Sequence, residues 1–238
     1  LIRRGNPTLN ASWTSGATVL AGDYLFARAA AFAAETGHVR VITLFAETLK
    51  IICEGELRQL AARYRWDQPK DAYYERIYAK TASLFAAATA GGAMLASAPE
   101  DDVQRLRDYG YHLGMAFQII DDILDFTSTD AILGKPAGSD LRQGTVTLPV
   151  FYFITLTGDE AADRAAIFEQ LEAWAAANGH AATLDLVARV AQSGAIARAY
   201  DEAAAFIAQA VAALEPLPHS DARQALLELA TATLDRHR

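Results

Sequence analysis

Three carboxylates crowded into an apolar segment are the residues in this sequence best placed to do chemistry. Asp121, Asp122 and Asp125 fall in the run Phe117-Gln118-Ile119-Ile120-Asp121-Asp122-Ile123-Leu124-Asp125. On a helix, Asp121 and Asp125 stand one turn apart on one face, with Asp122 about 100° round. Like charges at that spacing destabilise a helix. Ile119, Ile120, Ile123, Leu124 and Phe126 make this something other than an ordinary solvated acidic face. A cation would relieve the repulsion. Hard carboxylate oxygens suit magnesium, which keeps some waters and shares its shell with substrate phosphates. An exposed acidic turn would show the same DDxxD string, so the string alone leaves both readings open.

Basic and polar residues elsewhere fit a phosphate ligand. Lys135 follows in Gly134-Lys135-Pro136, and Asp140 in Gly138-Ser139-Asp140. A lysine beside three acids offers a point charge to a phosphate. Gln118 lies one turn before Asp121 and Asp122, so its amide can share their face. Lys80-Thr81 interrupts a helix whose next residues, Ala82 to Gly92, are mostly small or apolar; a snorkelling surface lysine is the plain alternative. Arg3-Arg4-Gly5 precedes the turn-like Asn6-Pro7, and arginine is the usual bidentate partner of phosphate. The five histidines, His38, His112, His180, His219 and His237, form no metal spacing. Neither GxGxxG, GxxxxGK[ST] nor GxSxG occurs, so hydride transfer, P-loop hydrolysis and serine-hydrolase chemistry lack support.

The elements that must position these residues read as helices almost throughout, since alanine and leucine dominate and β-branched alternation is rare. The pattern predicts helices from near Ser15 to Glu35, about His38 to Tyr64, and from after Asp67 and Pro69 towards Met94, with Gly91-Gly92 as a bend. Pro99 opens another, to about Phe126. Residues 127 to 144 break the pattern as a long loop of turn formers and charges, a kind of segment that is often functional. Helices resume at about Thr147–Leu156, Glu160–Ala177, Ala181–Gln192, Ala195–Leu214 and Ser220–Arg236. No Gly/Ser linker, repeat or charge block divides the chain. The expectation is an all-α, single-domain bundle over residues 1–238.

Composition agrees. The chain has 238 residues, 21 basic and 29 acidic, for a net charge of −8, and is 52% hydrophobic. That excludes a disordered or strongly basic chain, and the basic residues are interspersed with acids, so no nucleic-acid partner is expected. The single cysteine, Cys53, rules out an intrachain disulfide and reads as a small buried hydrophobe. No apolar run approaches the ~20 residues of a transmembrane helix, and no signal peptide is visible. The expected setting is the cytoplasm.

At these residues the chain resembles the trans-isoprenyl diphosphate synthases, or polyprenyl synthetases. The matching blocks are Arg3-Arg4-Gly5-Asn6-Pro7-Thr8, Ala21-Gly22-Asp23-Tyr24-Leu25, Glu54-Gly55-Glu56 with Gln59, and Lys80-Thr81-Ala82-Ser83-Leu84-Phe85. Gly114 through Asp125, Leu133-Gly134-Lys135-Pro136 with Gly138-Ser139-Asp140-Leu141, and Thr147-Leu148-Pro149 complete the series. Ordered blocks over most of the chain are far more specific than any one of them. The resemblance implies an isoprenoid-synthase-type bundle around a central cavity. It also implies ionisation of an allylic diphosphate, attack by the double bond of isopentenyl diphosphate and loss of a proton.

By that resemblance, Asp121, Asp122 and Asp125 are the second aspartate-rich motif and hold magnesium, as several ions bridging diphosphate, with Asp140 as an outer helper. Lys80 and Lys135 contact the allylic diphosphate. Thr81 and Gln118 point polar oxygens at the carbocation. Arg3 serves the allylic and Arg4 the isopentenyl diphosphate, while Gln59 and Phe117 line the site. A homodimer is implied as well.

Two departures qualify the match. The family's first aspartate-rich motif lies just before the Arg-Arg pair, where this sequence has only Leu1 and Ile2. The domain is therefore expected to lack its N-terminal helices and that motif. An intact motif upstream of Leu1 points to an enzyme; its genuine absence points to a non-catalytic partner subunit of a heteromeric synthase. Many relatives also carry a lysine where this chain has Thr145, so one diphosphate contact is lost or supplied elsewhere. A terpene cyclase or squalene-synthase-like enzyme is disfavoured by the Lys80-Thr81 block and the Gly-Lys-Pro…Gly-Ser-Asp loop.

Overall fold

The computed structural model describes residues 2–3, 6–127, 138–156, 165–169, 171–173 and 180–235. Two two-residue strands, β1 (Ile2–Arg3) and β2 (Asn6–Pro7), pair antiparallel at the start. Everything after them among the described residues is helix, turn or loop. The helices are α1 (Leu9–Ser12), α2 (Ser15–Glu35), α3 (Val39–Ala61), α4 (Lys70–Ile77), α5 (Ser83–Leu95) and α6 (Glu100–Thr127). They continue with α7 (Ser139–Arg142), α8 (Leu148–Leu156), α9 (His180–Gln192), α10 (Ala195–Leu214) and α11 (Asp221–Asp235). Residues 165–169 and 171–173 are helical as well.

Local chemistry explains most ends. The Thr14 hydroxyl accepts from the Ala17 N–H at 3.3 Å and caps α2. Gly37 takes up the left-handed conformation (φ 64°) just past its end. Glu100, Asp101 and Asp102 occupy the first turn of α6, where the helix dipole favours negative charge. At the start of α4, Pro69 holds the N-cap position with no side-chain bond.

At Gly91-Gly92, where a bend is expected, α5 is unbroken α-helix through both. The irregularity falls earlier, in a π-helical turn at Tyr78–Ala82 between α4 and α5, and single π turns are often found at functional sites. Cys53 is exposed, not buried. It lies on α3 beside Glu54, on a face that no other described helix covers.

Helix α6 runs through the middle, packed chiefly against α5 and α10. The α5–α6 approach is close enough that a Cβ on Gly114 would lie 2.5 Å from the Ala82 Cα, so only glycine fits. One turn further along α6, this closeness brings Gln118 beside Thr81. The core clusters around α6 contain Tyr73, Met115, Ile119, Ile120 and Ile123 on one side, and Tyr109, Leu113, Ile207 and Leu214 on the other. By contrast, α2 buries no residue at all and exposes Leu20, Leu25 and Phe32.

Candidate active site

The last turns of α6 direct the three carboxylates to different surroundings. Asp122 is 3% exposed and Asp125 is fully buried, while Asp121 is half-buried. Asp122 is held at both oxygens: the Gln118 amide donates to Oδ1 at 2.9 Å and the Tyr73 hydroxyl to Oδ2 at 2.9 Å. The Gln118 carbonyl oxygen in turn accepts from the Thr81 hydroxyl at 2.7 Å. The π turn, α6 and α4 are thereby joined in one polar chain, Thr81 to Gln118 to Asp122 to Tyr73. Asp125 accepts from the Asp140 backbone N–H at 3.1 Å, and its own carbonyl accepts from Gly138. It thus anchors α7, which carries Asp140, against the end of α6.

Arg76 on α4, four residues before Lys80 in the π turn, completes this corner. Its guanidinium donates to the Val146 carbonyl and lies 5.3 Å from the Tyr73 ring centroid. Burial lowers its pKa, offset in part by the negative charges of Asp122 and Asp140 and by Tyr73; arginine stays charged throughout. Burial, reinforced by the Asp140 charge, pushes the Asp122 carboxyl up to about 7, against the pull of Gln118, Tyr73 and Arg76. Burial and the neighbouring Asp122 also raise Tyr73 well above its ordinary value, so it remains a hydrogen-bond donor.

A small cavity opens onto these groups and is lined by Gln59, Arg76, Lys80, Gln118, Asp122, Asp140, Thr145 and Thr147, with Ile77. Gly144, at φ 77°, makes the turn that returns the chain to it. The Gly144 carbonyl accepts from the Tyr64 N–H at 3.0 Å, fastening the turn to the end of α3. Gln59, Arg76 and Thr145 also line a second cavity beside Gly55 and Arg58. Between α3 and α5 lies a third space, a larger apolar groove walled by Phe45, Leu49, Ile52, Leu84, Ala88 and Gly92.

Of the residues expected from sequence, Gln59, Lys80, Gln118, Asp122 and Asp140 come together at the polar cavity, and Thr81 joins them through Gln118. Lys80 is exposed and pairs with Glu56 at 3.6 Å. Phe117 packs on the Phe85 ring at 5.4 Å between centroids. Arg4 and Lys135 lie outside the described residues, as does the side chain of Arg3, whose backbone forms β1. Tyr73 and Arg76 were not singled out from the sequence. Their spacing before Lys80, at i, i+3 and i+7 of a helical pattern, is the signal that marks them.

Among the described residues, no three acidic, histidine or cysteine side chains already converge as a cation site. The donor set still fits a hard cation: carboxylate oxygens of Asp121, Asp122 and Asp140, next to cationic side chains able to hold the oxygens of a phosphate ligand. A half-built carboxylate site of this kind suits an ion whose shell is finished by the substrate.

Comparison with known proteins follows the same lines. The sequence matches the family model for polyprenyl synthetase over residues 1–180. It is 43% identical over 229 residues to heptaprenyl diphosphate synthase component 2 of Geobacillus stearothermophilus, covering 96% of this chain and 69% of the relative. It is 39% identical over 235 residues to the all-trans-nonaprenyl-diphosphate synthase (geranyl-diphosphate specific) of Rhodobacter capsulatus, covering 99% and 70%. The crystal structure of heptaprenyl diphosphate synthase from Staphylococcus aureus superposes with a TM-score of 0.92 at 29% identity, covering 100% of this chain and 72% of that one. A polyprenyl synthase from Caulobacter crescentus, complexed with calcium and isoprenyl diphosphate, gives 0.89 at 36% identity, covering 99% and 71%.

Proposed function

The chain belongs to the polyprenyl synthetase family, with the all-α isoprenoid-synthase fold, and on that premise we propose that it extends an allylic prenyl diphosphate by condensation with isopentenyl diphosphate. One observation carries the reading. Polar groups at Tyr73, Arg76 and Lys80 give way, from Leu84 onwards along the next helix, to the apolar groove wall of Leu84, Ala88 and Gly92. A charged head and a hydrocarbon tail on one ligand need such a sequence of surfaces.

In this reading Lys80 and Arg76 draw the diphosphate oxygens into the cavity, with Lys135 and Arg3 adding charge and Arg4 serving isopentenyl diphosphate. Asp121, Asp122 and Asp140 would hold magnesium, with Asp125 securing the loop that carries Asp140. When bound, magnesium neutralises the negative charge that develops on a departing diphosphate. Gln118 orients Asp122, and the Thr81 oxygen lies next to it, where a neighbouring cation would meet a polar lone pair. Gln59 and Phe117 complete the lining. The apolar walls exclude water, which would otherwise capture a carbocation.

We treat residues 1–238 as one domain acting in the cytoplasm; no described helix is long and apolar enough to cross a membrane. Self-association into a homodimer is supported by α2, whose exposed Leu20, Leu25 and Phe26 need a partner surface. A second reading, a subunit of a heteromeric synthase, is favoured by the relative named as component 2. The test is to incubate the full-length protein with magnesium, isopentenyl diphosphate and allylic primers of increasing length, and to size the products. Elongated products from the purified chain are expected. No product with any primer, alone or with a second subunit, would overturn the reading; product only with a second subunit selects the heteromer. Sedimentation as a monomer at micromolar concentration would remove the homodimer.

A further inference from the structure

Thr147 stands just before α8 and is 2% exposed. Its hydroxyl is buried without a hydrogen-bond partner, and it lines the polar cavity with Arg76, Lys80, Asp122 and Asp140. A buried hydroxyl left unbonded is unfavourable, and native structures rarely keep one without a use. The adjoining backbone is fixed: the Val146 carbonyl accepts from Arg76, and the Thr145 N–H donates to the Asp140 carbonyl at 2.9 Å. Thr147 therefore cannot easily turn aside to find a partner in its own chain. Thr145, its neighbour in the cavity wall, carries no charge, so the wall offers hydroxyls on this side and cations on the other.

We propose that the Thr147 hydroxyl is a substrate contact, donating to a diphosphate oxygen that enters the cavity between Arg76 and Lys80. The assignment rests on the prenyl-diphosphate reading and adds to it a residue that neither motif spacing nor charge pattern identifies. Besides contributing charge to the cavity, Arg76 holds the Val146 carbonyl and with it the start of the segment bearing Thr147. The ligand class follows from the wall. Two cations and a free hydroxyl suit a polyanion, and the two carboxylates admit it only with a divalent cation between them, as a diphosphate–magnesium pair provides.

The test compares Thr147→Val, which keeps shape and removes only the hydroxyl, with Thr147→Ser, which keeps the hydroxyl. Calorimetric titration of the full-length protein with inorganic diphosphate in magnesium reads binding without chain elongation, and thermal melting of the ligand-free protein reads stability. Thr147→Val is expected to bind diphosphate about tenfold more weakly and to raise KM for the allylic substrate by a similar factor. Its melting temperature is expected to stay level or rise by up to about 3 °C, because an unsatisfied hydroxyl is gone. Thr147→Ser is expected to bind like wild type. Unchanged diphosphate binding in Thr147→Val would overturn the assignment while leaving the prenyltransferase reading intact. A lowered melting temperature, or failure of Thr147→Val to fold where Thr147→Ser folds, would give the hydroxyl a structural bond instead and overturn it equally. A wild-type protein that neither binds diphosphate nor elongates primers would take both readings down.

Discussion

Asp122 on α6 and Glu202 on α10 are both carboxylates bonded at each oxygen, yet their acidities move in opposite directions. Glu202 accepts from the hydroxyls of Tyr74 and Tyr152 and from the Lys70 ammonium at 3.0 Å. Burial alone would raise its pKa, but these three donors outweigh that and hold it below the ordinary value. Lys70 is the reciprocal case: burial pulls it down, while Tyr74, Tyr152 and Glu202 hold it above its usual range. Asp122 is bonded directly only to neutral groups, Gln118 and Tyr73. The nearest cation, Arg76, is engaged with the Val146 carbonyl and shared with Asp140, so burial wins and the carboxyl rises to about 7. The Glu202 cluster balances its charge within the chain and ties α4, α8 and α10 together. The Asp122 cluster lacks one positive charge, which is the condition of a site that a ligand completes.

The contrast can be broken most forcefully at Asp121. Asp121→Ala is expected to lower the elongation rate of the full-length protein about a hundredfold, with little change in melting temperature. Near-normal turnover with magnesium present would separate the carboxylates from catalysis. Glu202→Gln should do the reverse. It removes the ion pair and weakens three bonds, so chemical denaturation should show a loss of about 2 kcal/mol, while turnover per folded molecule stays within about twofold. A large fall in turnover without a fall in stability would mean that the two clusters are not separate in role.

Acidity gives a third comparison, read by denaturation in the absence of metal. Glu202 has a lowered pKa, so its contribution is present above its unfolded value of 4.5 and is lost as pH falls through the folded one. Asp122 has a raised pKa, so its contribution is present below its unfolded value of 3.8 and is lost as pH rises through about 7. Glu202→Gln should therefore flatten the acid limb of the stability profile, and Asp122→Asn the slope between about pH 4 and 7. If both substitutions flattened the same limb, the opposed acidities would be wrong. The smallest effect is expected from Tyr73→Phe, which leaves Asp122 Oδ2 without its donor. We expect a loss of about 1 kcal/mol and weaker activation by magnesium at unchanged saturating rate; a variant identical to wild type in both would remove Tyr73 from the site.

Much of the local architecture is legible in the residues themselves. Helix α2 starts after Thr14 and ends before Gly37, and α10 spans Ala195–Leu214, because caps, glycines and helical periodicity are local signals. The grouping of Asp121, Asp122 and Asp125 with Gln118 is likewise set by spacing on one helix. Other features are not local. Nothing near Gly91-Gly92 in sequence announces that α3 packs against this part of α5, with Leu44 3.8 Å from where a Gly91 Cβ would stand. Cys53 sits in an apolar run, yet the helix face it occupies is left uncovered.

By itself the sequence determines that the chain is helical, that it carries a carboxylate motif suited to a hard cation, and that its motifs belong to the polyprenyl synthetase pattern. Only the tertiary structure decides how the three carboxylates divide: Asp122 into the cavity, Asp125 under α7, Asp121 between burial and solvent. It also pairs Tyr73 with Asp122 and Arg76 with Val146, and leaves the Thr147 hydroxyl unbonded. The physical reason is that helical spacing sets which side chains share a face, whereas the partner of a buried polar group depends on which distant face is packed against it. The free energy of that group depends on the partner, so its acidity and its use are properties of the packing.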